Sequence, residues 1–259
     1  MEEQQMTFWE HLDELRKVLF RSAIVIAVLM AAIFMAKDFV FDTVVFGPIN
    51  SDFILYRLID KALLLLGMPT LPEFQLSLIN IDLSAQFFIH ISTTFYLSLV
   101  LATPVIIYQL WSFVKPALYE NEKRAARGAF AFAGILFLMG VLVGYYLIFP
   151  LTLRFLGTYQ VSYEVANQIS LQSYISMFTW LILIMGVVFE MPSLAVILSK
   201  LGILTKSFLK KYRRHAFVVM LVLAAFITPS GDPFTLMAVG LPLYGLYELS
   251  ILVCRDFDK

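Results

Sequence analysis

Six apolar segments, at about 18–36, 84–112, 128–149, 171–198, 216–227 and 234–254, divide the chain, and its basic residues fall on alternate sides of them. The start of the chain, the stretches at about 113–127 and 199–215, and the C-terminus hold 15 of the 19 lysines and arginines. The opposite side keeps Lys37, Arg57, Lys61 and Arg154. An excess of Lys and Arg marks the cytoplasmic face of a membrane. The pattern predicts an all-α integral membrane protein with six transmembrane helices and both termini in the cytoplasm. Composition agrees: 60% of residues are hydrophobic and 15% charged, more apolar surface than a soluble domain of this length can hide. A net charge of zero gives no reason to expect a nucleic-acid partner. The lone Cys254 excludes an internal disulfide. The acidic start (Glu2, Glu3, Glu10) and the span-length run Val18–Ala36 predict a retained first span, not a cleaved signal peptide.

The segments read as one membrane domain, 1–259. Residues 1–17 form an amphipathic cytoplasmic lead-in, with Phe8, Leu12, Leu15 and Leu19 on one face and Glu10, Asp13 and Lys17 opposite. Residues 37–83 form a long loop on the outer side. Its Gly47-Pro48, Ala62–Leu66, Pro69 and Pro72 predict short helices and turns packed against the membrane face. Residues 113–127 and 199–215 are cytoplasmic loops. The second segment, about 30 residues and roughly 45 Å, exceeds the ~30 Å hydrocarbon core and must tilt, bend at Pro104 or protrude. The last two helices are short. Ala216–Ile227 gives only roughly 18 Å, so the pair is either a re-entrant hairpin or two spans that thin the bilayer and ease passage of a polar chain nearby. No internal repeat links the segments, which weighs against an inverted-repeat transporter.

Chemistry-bearing motifs are sparse. His11, His90 and His215 form no metal-ligand spacing, and no nucleophile elbow, CxxC or phosphate loop occurs, so no cofactor or metal is expected and a membrane enzyme is disfavoured. Gly140 and Gly144 fit the small-xxx-small pattern of close helix packing. Glu190, in Phe189-Glu190-Met191-Pro192, falls near mid-membrane, roughly 14 Å from the segment end, with Pro192 disrupting the helix beside it. A carboxylate there is either protonated and bonded between helices, or a polar docking point for a helix or substrate. Proton-coupled solute transport through Glu190 is the rival reading. Glu248 lies near the interface, where snorkelling accounts for it. Glu14 and Glu122 stand at helix starts, where the dipole favours a carboxylate. Alternatively the two offer bidentate acceptors to an arginine-containing peptide.

His11-Leu12-Asp13-Glu14-Leu15-Arg16-Lys17 resembles the N-terminal HLxELRxR signature of the TatC family, the receptor subunit of the twin-arginine protein translocase. Pro104 to Arg124, with Tyr108-Gln109, Trp111, Phe113, Pro116-Ala117-Leu118-Tyr119 and Glu122, follows that family's PxxxYQxWxFxxPALYxxER pattern. Phe149-Pro150-Leu151, Phe189–Pro192 and Phe226–Pro229 continue it in order, so the resemblance covers about 7–255. Lys17-Val18, where the family often has a second basic residue, the turn at Ser230–Asp232 and the long 50–80 loop depart from it. The resemblance implies a cup-shaped six-helix protein of the bacterial inner (cytoplasmic) membrane. It implies that twin-arginine signal peptides bind at the cytoplasmic face, and that folded cargo is exported with TatA and, in many systems, TatB partners, further TatC copies and the proton-motive force. Glu14, Arg16, Phe113 and Glu122 match the signal-peptide site, and Glu190 matches the intramembrane polar site for partner helices. Pro48, Asp82 and Pro104 match structural or loop positions, with Asp232 in the second-to-last turn.

Overall fold

The computed structural model describes residues 8–72, 74, 76–117, 120–162, 164, 167–200, 202–228, 232–254 and 256; the side chains of 8, 117, 120–122, 124 and 125 lie outside that description. The described chain is helical apart from one two-residue ladder. Helix α1 (Phe8–Met35) runs for 28 residues with no glycine or proline to stop it. The outer loop then turns through a π-helical stretch (Phe39–Val45) and a 3-10 turn (Gly47–Ile49) into α2 (Ile54–Leu65). Gly67 ends α2 at φ +70, with the Met68 amide donating to Leu63 and the Gly67 amide to Leu64. That pair of bonds needs a left-handed residue, which glycine supplies without a Cβ clash.

Helix α3 (Ala85–Val114) spans 30 residues with Pro104 inside it. Hydroxyls of Ser92, Thr94, Ser98 and Thr103 return to carbonyls three or four residues back, so these four are satisfied within the helix. Helix α4 (Glu120–Val143) passes through a π-helical turn (Gly144–Ile148) into α5 (Phe149–Thr158). The third segment is therefore longer than its expected end at 149. Pro150 does not stop it because the wide π turn beneath absorbs the missing amide and the ring. Helix α6 (Leu171–Val188), capped by Ser170, stops at a turn over Phe189 and Glu190, and α7 (Met191–Lys200) resumes after it. Helices α8 (Lys206–Lys211), α9 (Arg213–Ile227) and α10 (Pro233–Val253) complete the chain.

Among the described residues, five helical segments are long and apolar enough to cross a membrane: Trp9–Met35, Ala85–Val114, Ala126–Thr158, Leu171–Lys200 and Pro233–Val253. Helix α9, at 15 residues or roughly 22 Å, is too short for an ordinary crossing. The ring contacts set the order. Phe34 stacks on His90 at 4.0 Å and His11 on Phe113 at 4.2 Å, so α1 and α3 are antiparallel. Trp111 meets Phe130, α4 crosses α6 at Gly140, and Phe217 meets Tyr244 between α9 and α10. Burial is least in α1, 11% of its span window, and greatest in Leu171–Lys200, 44%, so α1 is peripheral and α6 central. The centre is aromatic and aliphatic: Phe149, Tyr174, Phe178, Leu181, Met185 and Leu243 are fully buried.

The outer loop is packed down as a cap. The Tyr56 hydroxyl reaches the carbonyls of Pro48 and Pro150, both at 3.1 Å, and Tyr145 donates to Val44 at 2.9 Å. Arg154 donates to the Pro72 carbonyl at 2.6 Å while its guanidinium lies over the rings of Tyr56 and Phe74. Strands β1 (Leu78–Ile79) and β2 (Ile169–Ser170) pair in parallel, Leu78 opposite Ile169, and tie this loop to the start of α6.

Candidate functional site

The start of α1 and the end of α3 meet. The imidazole of His11 stacks on the ring of Phe113, centroids 4.2 Å apart and planes 26° from parallel. Two motif segments about 100 residues apart in sequence thus share one patch at the basic end of the bundle. Glu14 follows His11 by three residues, on the same face of α1. Its Oε1 accepts from Lys17 Nζ at 2.6 Å, the two side chains being 37% and 55% exposed. Such an exposed pair contributes little stability, so Lys17 is readily exchanged for another cation. Arg16 is exposed and lies 5.8 Å over Phe20 along its own helix; the residue that meets Phe113 is His11. Glu122 belongs to the first turn of α4, while its side chain and that of Arg124 lie outside the described atoms, as do Leu118 and Tyr119.

Glu190 sits in the break between α6 and α7, its backbone amide bonded to Val187 and its carbonyl accepting from Leu194. The Ser193 hydroxyl lies within reach of both that carbonyl, at 2.8 Å, and the carboxyl Oε2. Oε1 is buried with no hydrogen-bond partner among the described residues. A buried polar oxygen left unmatched in apolar surroundings favours any incoming donor.

The remaining candidates are structural in their contacts. Pro48 is buried in the cap and its carbonyl receives Tyr56. Asp82 is exposed, and its carbonyl accepts from Asn80 and from the Ala85 amide where α3 begins. Pro104 leaves the Val100 carbonyl without its helical donor. Asp232 caps α10: its Oδ1 accepts the Thr235 amide at 2.8 Å and its Oδ2 the Thr235 hydroxyl. Pro229–Gly231, Arg255 and Lys259 lie outside the described residues.

Two pairings escaped the sequence. Lys17 with Glu14 has a local signal, the i,i+3 spacing. Arg213 with Glu248 at 2.8 Å has none, since the partners are 35 residues apart and meet only because α9 folds back on α10. Among the described residues no three His, Cys, Asp or Glu gather as a metal site.

Comparison with known proteins agrees with this arrangement. The family profile described as "Sec-independent protein translocase protein (TatC)" matches residues 10–242. A TatC protein of Blattabacterium sp. subsp. Periplaneta americana (strain BPLAN) is 37% identical over 262 residues, covering 100% of this chain and 98% of its own length. The TatCy protein of Bacillus subtilis (strain 168) is 32% identical, covering 98% of this chain and 91% of its own length. A crystal structure of the twin-arginine translocase receptor TatC in DDM superposes with a TM-score of 0.72 at 31% identity, covering 95% of this chain and 100% of that one. The relatives are components of a transport system, not enzymes, and the chain is a multi-pass membrane protein that belongs to the TatC family of Sec-independent protein translocase components.

Proposed function

We propose that this chain is the signal-peptide receptor and core of a twin-arginine translocation complex in the bacterial inner membrane, with six crossings and both termini cytoplasmic. The observation that carries the reading is the His11–Phe113 stack, which joins the Glu14-bearing turn of α1 to the end of α3. Glu14 and Glu122 take the two guanidinium groups of an incoming peptide. Bidentate, charge-assisted bonds suit arginine and discriminate against lysine. Lys17 holds Glu14 in place until a guanidinium displaces it. Arg16, exposed on the same turn, and Phe113 border the patch, with Phe113 offering an apolar edge for the residue beside the arginines. The open valence of Glu190 Oε1 supports docking of single-span TatA- and TatB-type helices in the membrane. Cargo then crosses folded, driven by the proton-motive force, with further copies of the chain in the complex.

The test is photocrosslinking of a twin-arginine signal peptide to probes placed near Glu14 and Glu122 in membranes, with a twin-lysine peptide as control. Crosslinks that require both arginines are expected. Glu122→Lys should weaken binding by about tenfold or more, the scale of one hydrogen bond to a charged group, while membrane insertion stays intact. Equal capture of the twin-lysine peptide would remove the receptor reading.

A further inference from the structure

On the other side of α3 from the His11–Phe113 patch lies a groove of about 810 Å³ between the last turns of α3 and the first half of α4. Its walls are two stripes at helical spacing. Lys115 stands just past the end of α3, along which Pro104, Ile107, Tyr108 and Trp111 follow one another. Lys123, Arg127, Phe130, Gly134 and Leu138 do so along α4. Gly134 places nothing between the helices, and the nearest atom to a Cβ built there is Ile107 Cδ1 at 3.8 Å. Trp111 against Phe130, centroids 5.6 Å apart, forms the floor.

The groove is amphipathic along its length. Lys115, Lys123 and Arg127 stand at the end facing the basic loop, and the aromatic and aliphatic side chains run from there toward the middle of the spans. A cationic mouth over an apolar trough is the complement of an anionic headgroup with its acyl chain. The described charges at this mouth are opposite in sign to Glu14, which belongs to the patch on the other side of α3. We propose that the groove is a binding site for an anionic phospholipid, the phosphate held by Lys115, Lys123 and Arg127 and one acyl chain lying against Trp111, Phe130 and Leu138. Bound there, the lipid fills the cleft between α3 and α4 and steadies the first turn of α4, which carries Glu122.

The test uses the full chain in vesicles, with Trp9 and Trp180 replaced by Phe so that Trp111 is the one indole. Quenching is measured with phosphatidylglycerol brominated in its acyl chains, against brominated phosphatidylcholine at equal mole fraction. Phosphatidylglycerol should associate with Trp111 at least about fivefold more strongly, the size of one basic residue's attraction to an anionic surface. The preference should fall toward one in K115Q/K123Q/R127Q, and in part in R127Q alone. It should survive K206Q/K210Q/K211Q, which removes as much charge from the other basic loop. Millimolar inorganic phosphate should leave the quenching unchanged, since a free anion lacks the chain. Equal quenching by the two brominated lipids overturns the proposal without needing any charge variant. A preference untouched by K115Q/K123Q/R127Q, or abolished by phosphate alone, also overturns it.

Discussion

Two residues show how a single atom or hydroxyl governs a joint of this molecule. At Gly140 a Cβ would lie 2.5 Å from the Met185 carbonyl oxygen and 2.7 Å from Phe189 Cβ, so the crossing of α4 with α6 exists only with hydrogen at that position. Gly140→Ala should lower stability by about 1–3 kcal/mol through overpacking against backbone. Gly128→Ala in the same helix, with nothing within 4 Å, should be neutral or slightly stabilising. Thermal unfolding of the two variants in detergent decides it; equal losses would refute the contact argument. Tyr56 is the second case. Burial pushes its phenol up to about 12 from an ordinary 10.0, with the Arg154 guanidinium opposing the shift. A group whose folded value is raised stabilises fully below its unfolded value and loses that contribution as pH rises through the folded one. The cap should therefore loosen between pH 10 and about 12. Absorbance at 295 nm should show the late tyrosinate signal reduced by one group in Tyr56→Phe. At neutral pH that variant should cost about 1–3 kcal/mol, because the Pro48 and Pro150 carbonyls lose their donor.

Among the elements, the α9–α10 hairpin packs through α10 on α7 and α5, and one bond joins its turn end to α6. Trp180, near the middle of α6, donates its indole N–H at 2.9 Å to the carbonyl of Ile227, the last residue of α9. That bond satisfies a helix-end carbonyl that would otherwise sit bare in apolar surroundings. On the far side of the turn Asp232 caps α10, and Phe234 stacks on Phe155 of α5. Trp180→Phe keeps the ring and removes only the donor. It should raise amide exchange at 221–228 about five- to tenfold, corresponding to roughly 1 kcal/mol, while exchange in α1 and α3 stays unchanged. A uniform rise across all helices would mean that the bond supports the whole bundle and does not act as a local latch.

The whole molecule presents spans of unequal length to one bilayer. Ala126–Thr158 has 33 residues, α10 has 21 and α9 has 15, so rises range from roughly 50 to 22 Å around a ~30 Å core. Long segments can tilt or break, as the third and fourth do at the π turn and at Glu190. The short helix can only draw the bilayer inward or stop within it. If it thins the bilayer, reconstitution in vesicles of decreasing acyl length should raise the melting temperature toward an optimum below the usual thickness. An optimum at ordinary or greater thickness would favour a hairpin that never crosses.

The sequence by itself determined the apolar segments, their breakers and the identity of the motif residues, because hydropathy, proline and helical spacing act over a few neighbours. It marked Pro104, the break beside Glu190, the short fifth segment and the close-packing glycines at 140 and 144. It placed the end of the third segment at about 149, while the π turn that carries the helix past Pro150 depends on packing against α6. Tertiary structure alone decided that His11 stacks on Phe113, that Arg213 reaches Glu248, that Tyr56 bridges two distant carbonyls, and that the basic and aromatic stripes of α3 and α4 face one another as a groove. Each of those joins residues far apart in the chain, and their distance is set by how whole helices pack, a quantity no local pattern contains.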